Sequence, residues 1–324
     1  MLRSFSVRER RLHVAEIDAA SGETPPSDTV WLDLYQPTGA EETLVEGWLG
    51  IDIPTRAERE EIESSSRLYT EDDTAFLTGT VVRSVTGASA ESATVTFALT
   101  QARLVTVRHA DLQAFTTFER ELRRQPQTGA TVARVFPALL DSIIERIADV
   151  LERLRGDLDG LSREVFAERA QASDHDYRAL LGRIGRLGDL ISKARESLLS
   201  LSRVTAFARQ LAIFDDDRTA AGRLITVAQD IASLTDHASF LNSKVTFLLD
   251  ATLGMISIQQ NAIIKIFSVV AVIFLPPTLI ASIYGMNFQV MPELTWSFGY
   301  PLALVLMLIS AVLPYLIFKA RGWL

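Results

Sequence analysis

The chain contains no cysteine. Disulfides and thiolate metal sites are therefore excluded, and any metal must be held by oxygen or by one of only four histidines. The spacings that mark common chemistry are missing too. No glycine-rich phosphate loop, nucleophile elbow or HExxH pair occurs, so nothing points to an enzyme or to an organic cofactor. Positive charge is in deficit: 32 Lys and Arg stand against 40 Asp and Glu, and the net charge of −8 argues against nucleic acid as a partner. The opening residues, MLRSFSVRERRLHV, carry charges where a cleaved signal needs an apolar run.

Charge is absent altogether from two late stretches. Residues 266–283 form an uncharged run of about 18 residues, or roughly 27 Å of helix, close to the ~30 Å hydrocarbon core of a bilayer. A second uncharged run, 298–318, is similar in length, and the segment YGMNFQVMPELTWS lies between them. The chain thus ends in a helical hairpin that crosses a membrane twice. Lys265 precedes the first span, Lys319 and Arg321 follow the second, and the connecting loop has no Lys or Arg. The positive-inside rule then places both termini in the cytoplasm.

The first span is not uniformly apolar. Counting alternately three and four residues gives Asn261, Ile264, Ser268, Ala271, Leu275, Thr278 and Ser282. This 3.5-residue seam is mostly small or polar, while Phe267, Val269, Val270, Ile273 and Phe274 fall off it. Small and polar residues in a membrane helix mark a packed or a water-facing side. The seam alone leaves two readings, helix packing in an anchored oligomer or the wall of a pathway. A pathway needs several copies round an axis. Pro276 and Pro277 favour it, because proline breaks in a membrane survive where freed carbonyls meet a partner or a water-filled cavity. Gly285 permits a tight exit from the span, and Asn287 offers a neutral amide oxygen at its mouth.

Upstream, short β-type runs at 4–7, 12–17, 30–34, 76–82, 94–99 and 104–107 alternate with turn-rich pieces such as SGETPPSD. Polar helix-favouring segments near 40–49 and 55–64 separate some of them, and one sheet covered by helices is expected. From about Gly129 the texture changes to long helical periodicity, with a second helix at about 177–209. A third pattern starts near Ala220 and meets no proline until Pro276. If continuous to about Ile283, it is about 64 residues, or roughly 95 Å.

The run Tyr284-Gly285-Met286-Asn287, followed by Met291-Pro292-Glu293-Leu294, resembles the signature of the CorA family of magnesium transporters. The likeness continues through TWSFGYP to Lys319, Arg321 and Gly322-Trp323-Leu324. It implies an α+β membrane protein with a cytoplasmic α/β domain (1–125), a cytoplasmic helical region (126–218) and a stalk helix (219–265). A pore-lining first span (266–284), an external loop (285–297), a second span (298–318) and a basic cytoplasmic tail (319–324) complete it. A homopentamer in the inner membrane is implied, moving hydrated Mg²⁺, with Co²⁺ and Ni²⁺ as secondary substrates and cytoplasmic Mg²⁺ closing the pore.

Mg²⁺ demands near-octahedral oxygen geometry and sheds water reluctantly. A ring of neutral amides can instead hydrogen-bond to its water shell. Asn287 suits that role, and the resemblance makes Gly285, Met286 and Asn287 the selectivity filter. Deeper in, Asn261 and Thr278 offer oxygens to a hydrated ion. Ile264, Phe267 (or its neighbour Ser268) and Leu275 are candidate apolar constrictions, which gate by excluding water. Glu293 is the only acid in the outer loop and a candidate attractor for cations at the mouth. Gln289 stands where many relatives have Glu, a departure from the pattern.

For cytoplasmic regulatory Mg²⁺ the candidates are Asp72 with Asp73, the run Asp215, Asp216 and Asp217, and the pair Asp230 and Asp236. Each also reads as solvated surface charge. His175, between Asp174 and Asp176, reads as part of an exposed loop. A zinc transporter of the same superfamily, like ZntB, shares the GMN mouth, although the MPEL loop and FGYP entry resemble the magnesium branch more closely. A scaffold anchored by the hairpin is the reading from another class.

Overall fold

The structure, a computed structural model, describes residues 1–60, 64–83, 91–166, 177–287 and 291–322. The side chains at 60, 64, 65, 293 and 294 also lie outside that description. In chain order the elements are β1 (Leu2–Arg8), β2 (Arg11–Ile17), β3 (Trp31–Tyr35), α1 (Gly39–Leu49), α2 (Arg56–Glu60), α3 (Ser64–Arg67), β4 (Leu68–Glu71), β5 (Thr74–Arg83), β6 (Glu91–Leu99) and β7 (Leu104–Arg108). There follow α4 (Gln113–Arg124), α5 (Val132–Val165), α6 (Tyr177–Ala208), α7 (Arg218–Tyr284) and α8 (Gly299–Ala320). The chain divides into two compact units, Met1–Leu249 and Asp250–Leu324.

The first unit is built on one seven-stranded sheet in the order β2-β1-β3-β7-β6-β5-β4. Among the described residues only β3 and β7 run parallel, pairing Trp31 with Leu104 and Tyr35 with Arg108. The strands alternate with a period of two. Leu32, Leu34, Val105, Val107, Phe76 and Ala98 share a core with Val45, Ile51 and Ile53 on the α1 side. The intervening residues carry the other core, where Trp31 lies against Phe115 and Phe118 of α4 and Phe97 meets Phe136 of α5 edge-on. Helix α4 is amphipathic, burying Ala114, Phe115, Phe118 and Leu122. Helix α1 starts at a capping box, with Thr38 and Glu41 bonding each other's backbone N–H, and ends at Gly50 in the left-handed region.

A buried ion pair crosses the parallel strands. Asp33, fully buried, accepts from Arg108 Nε at 3.1 Å and Nη2 at 2.9 Å, from Thr106 Oγ1 at 2.9 Å and from Arg3 Nη2 at 3.1 Å. Arg108 is itself covered by the rings of Tyr35 and Phe115. A pair this dry is tolerable only because its lone pairs and protons are satisfied on several sides.

Helices α5 and α6 pack on this side of the sheet. Helix α6 lies over Gly79 of β5, where an added Cβ would be in contact with Leu201 and Val204 at 3.4 Å, and the Thr80 N–H donates to Ser200 Oγ at 2.9 Å. The first half of α7 presents a heptad seam to them, burying Ala220, Leu224, Val227, Ile231, Ala238, Leu241 and Leu248. Each buried leucine or isoleucine contributes about 1.5–3 kcal/mol. Ion pairs fasten the same stretch to α5: Arg134 to Asp217 at 2.7 Å, Arg223 to Asp141 at 2.8 Å, and Lys244 to Asp159. Gly188 of α6 makes room for α7, since a Cβ there would come within 3.2 Å of Val245 Cγ1.

Helix α7 is unbroken over 67 residues, or about 100 Å, and runs through Pro276 and Pro277 without a stop. With α8 it supplies the two helices of the chain long and apolar enough to cross a membrane, among the described residues.

Candidate ion pathway

The second unit is assembled with almost no interior. Of the side chains in the apolar stretch of α7, Val269 alone is buried, and α8 buries only Gly299 and Ala303. Phe267 and Leu275 are each 70% exposed. A continuous apolar surface of this extent is stable only against lipid or other protein, not against water.

On this exposed helix the seam residues gather along one side. Asn261, Ile264, Ser268, Ala271, Leu275, Thr278 and Ser282 are all exposed. Four of them, Ala271, Leu275, Thr278 and Ser282, line a single open groove of about 520 Å³ together with Phe274 and Leu279. Phe274 and Leu279, as flanking walls, were not evident from the seam count, although both lie one position from it.

The hydroxyls of the seam are oriented by the helix itself. Ser268 Oγ donates to the Ile264 carbonyl at 2.8 Å and Thr278 Oγ1 to the Phe274 carbonyl at 2.7 Å. With the proton committed backwards, each oxygen keeps its lone pairs for a donor outside the helix. Pro276 and Pro277 have no N–H to give the carbonyls of Val272 and Ile273, which leaves two further acceptors on the span. The groove itself is mainly apolar, and Thr278 and Ser282 are the two hydroxyl-bearing residues that line it. Those hydroxyl oxygens can accept from the water shell of a hydrated cation, while the rest of the groove is apolar wall.

At the end of the span the Gly285 N–H donates to the Ala281 carbonyl at 3.0 Å and the Met286 N–H to that of Ile283 at 3.2 Å. A Cβ at Gly285 would sit 3.1 Å from the Ala281 oxygen, closer than most such atoms come, so the tight exit favours glycine. Met286 and Asn287 follow, both exposed, beyond the last helical turn. The backbone of Glu293 lies in a short 3-10 turn, Pro292–Thr295, but its side chain lies outside the described residues, as do Gln289, Trp323 and Leu324. A second groove, of about 410 Å³, is lined by Ala281, Tyr284, Gly285, Trp296, Gly299 and Tyr300 among others. Its aromatic rings are of the kind that sit at a membrane interface.

The acidic candidates are dispersed. Asp72 and Asp73 are the two central residues of the β4–β5 hairpin, with φ of 45° and 61°. Asp tolerates that left-handed turn better than most residues. Asp72 also lines a groove of about 340 Å³ with Glu46, Asp52 and Glu71. Asp215 and Asp216 are exposed. Asp217 accepts from the Thr219 and Ala220 N–H groups at the start of α7 and from Arg134. Arg134's hydrogen bond, with the helix N–H groups, holds the Asp217 carboxyl below the usual carboxylate range. Asp230 and Asp236 are exposed on α7, six positions apart and so on different sides of it. Among the described residues no group of three or more His, Asp or Glu is placed to hold a metal. His175, Asp174 and Asp176 lie outside the described residues.

The family model described as CorA-like Mg²⁺ transporter protein matches residues 26–320. The chain belongs to the CorA family. The magnesium transport protein CorA of Escherichia coli (strain K12) is 37% identical over 324 residues, the full length of both chains. Among solved structures, the CorA magnesium transporter from Methanocaldococcus jannaschii superposes with a TM-score of 0.79 at 19% identity, covering 100% of this chain and 99% of that one. The ZntB cytoplasmic domain from Vibrio parahaemolyticus matches with a TM-score of 0.54 at 13% identity, over 79% of this chain and 98% of that domain. Both structural likenesses bear on the fold. The CorA fold accounts for the order seen here: sheet domain, long helix, apolar hairpin.

Proposed function

We propose that this chain is a magnesium transport protein that carries hydrated Mg²⁺ through a pore lined by α7. The observation that carries the reading is the joining of two features on one helix. A mainly apolar groove bearing the Thr278 and Ser282 hydroxyls runs along the span, and the GMN turn stands at its end. One helix encloses nothing, so several copies, taken here as five, surround the axis. The Asn287 amides form a ring that reads the water shell, with Gly285 and Met286 shaping the turn. Asn261 and Thr278 contact the passing hydrated ion, and Ile264, Phe267, Ser268, Ala271 and Leu275 line the narrow stretch. Glu293 draws cations to the mouth.

The charge pattern favours both termini in the cytoplasm of an inner-membrane protein, with residues 1–265 on that side. Transport then runs down the membrane potential. At ~2.3 kcal/mol per charge per 100 mV, a divalent ion gains about 4.6 kcal/mol on entering a cell at roughly −100 mV. No nucleotide is needed, and the chain is a transporter and not an enzyme. Co²⁺ and Ni²⁺ follow as secondary substrates, since hexahydrates of similar size differ little at a ring of amides. Cytoplasmic Mg²⁺ closes the pore through carboxylates brought together between copies. Asp72, Asp73, Asp215, Asp216, Asp230 and Asp236 are the free candidates, and Asp217 must first leave Arg134.

Competition for uptake tests the substrate. In cells expressing the chain, Mg²⁺ should block ⁵⁷Co²⁺ entry, and Zn²⁺ uptake should not dominate. Dominant Zn²⁺ uptake that Mg²⁺ does not suppress would move the chain to the zinc branch. Absence of any ion uptake with the oligomer intact would favour an anchored scaffold.

A further inference from the structure

The face of α7 that forms the groove does not end at the apolar span. Counted back from Asn261 in the same threes and fours, it passes through Ser257, Gly254, Asp250, Phe247, Ser243 and Phe240, and every one of these is exposed. The count holds its phase because the buried seam of the helix keeps the same 3.5-residue spacing from Leu224 to Leu248 on the opposite side. That buried side is already covered within the chain, through the ion pairs to α5 and the Gly188 contact of α6. The free side is therefore the one available to other copies.

On this free side two large rings interrupt a run of small and polar residues. Phe240 is 60% exposed and Phe247 57% exposed, one heptad and about 10 Å apart along the helix. Phe240 stacks on His237, and Phe247 stacks on Phe166, itself half-exposed. Neither ring has a core to fill. Leaving two phenyl rings in water is unfavourable, whereas a ring of them round an axis excludes water from it.

We propose that Phe240 and Phe247 form a second apolar constriction of the ion pathway, on the cytoplasmic stretch of α7, where rings from neighbouring copies close round the axis. The inference rests on the reading of α7 as pore-lining. It adds a barrier outside the membrane, separate from Ile264, Phe267 and Leu275. The occupant of the exposed face is a further copy of this chain, and the ion passes only when the rings withdraw.

The absence of cysteine makes a direct test possible. F240C, F247C and, off this face, I225C each introduce a single thiol into the full-length chain. Each is reconstituted in liposomes and Mg²⁺ flux is read before and after a cationic methanethiosulfonate is supplied on both sides. Modification should reduce flux severalfold in F240C and F247C and leave I225C and wild type unchanged. Flux that persists in F240C and F247C after mass spectrometry has shown complete modification overturns the inference, as does equal loss in I225C. A second comparison does not depend on the thiols: Phe247→Ser should raise flux severalfold at high internal Mg²⁺ while Phe247→Leu does not. Equal fluxes in those two variants overturn the constriction while leaving the transport reading standing. No Mg²⁺ flux in untreated wild type overturns the transport reading, and this inference with it.

Discussion

Thr278 Oγ1 donates to the Phe274 carbonyl at 2.7 Å, so the hydroxyl faces the groove as an acceptor only. Thr278→Val keeps the β-branched shape and removes the oxygen. Loss of one acceptor to a hydrated ion is worth about 1 kcal/mol, or about fivefold in rate, at each copy that contributes to the barrier. Mg²⁺ flux should fall by at least that factor in Thr278→Val and be kept in Thr278→Ser. Equal flux in the two variants would remove Thr278 from the pathway.

Asp217 caps α7 and pairs with Arg134, and its carboxyl is held below the usual carboxylate range by that hydrogen bond first. A depressed carboxylate stabilises the fold above its unfolded pKa, about 3.9, and that contribution is lost as pH falls through the lower folded value. Asp217→Ala should therefore cost about 1 kcal/mol at neutral pH, the usual worth of an N-cap. The difference from wild type should shrink below about pH 4. Thermal unfolding of the purified protein across pH 3–7 checks the sign.

Arg108 is the main counter-charge of the buried Asp33. Arg108→Met keeps much of the volume but leaves that carboxylate with Arg3 as its remaining cation. Removing one member of a buried pair costs about 3–5 kcal/mol. The variant should unfold at clearly lower temperature or fail to accumulate, whereas Arg123→Met, at an exposed pair on α4, should be near wild type. Similar stabilities would mean that the sheet does not depend on the pair.

The sheet was legible where β-branched and apolar residues alternate, and six runs read from the sequence fall within β1, β2, β3, β5, β6 and β7 or overlap them. Strand β4 was not, because LYTE is short, follows a polar helix-like segment and has no second alternation to mark it. Helix α4 was also missed: its apolar residues at 114, 115, 118 and 122 are outnumbered by charged and polar ones. The length of α7 depended on whether Pro276 and Pro277 stop it. Local rules say that proline breaks a helix, and here the helix continues through both. The groove was legible because helical spacing is a local property. The surroundings of the candidate acids were not, because Asp217 is drawn to Arg134, 83 positions away, and such pairing leaves no trace in spacing.

The central claim is that Asn287 stands in a ring that selects a hydrated divalent ion. It is tested most directly by Mg²⁺ flux into liposomes carrying the purified chain under an imposed inside-negative potential, for wild type and Asn287→Ala. The account predicts Mg²⁺ entry in wild type, and collapse of that entry or loss of discrimination against other cations in the variant. Wild-type flux and selectivity in Asn287→Ala, with the oligomer intact, would contradict it.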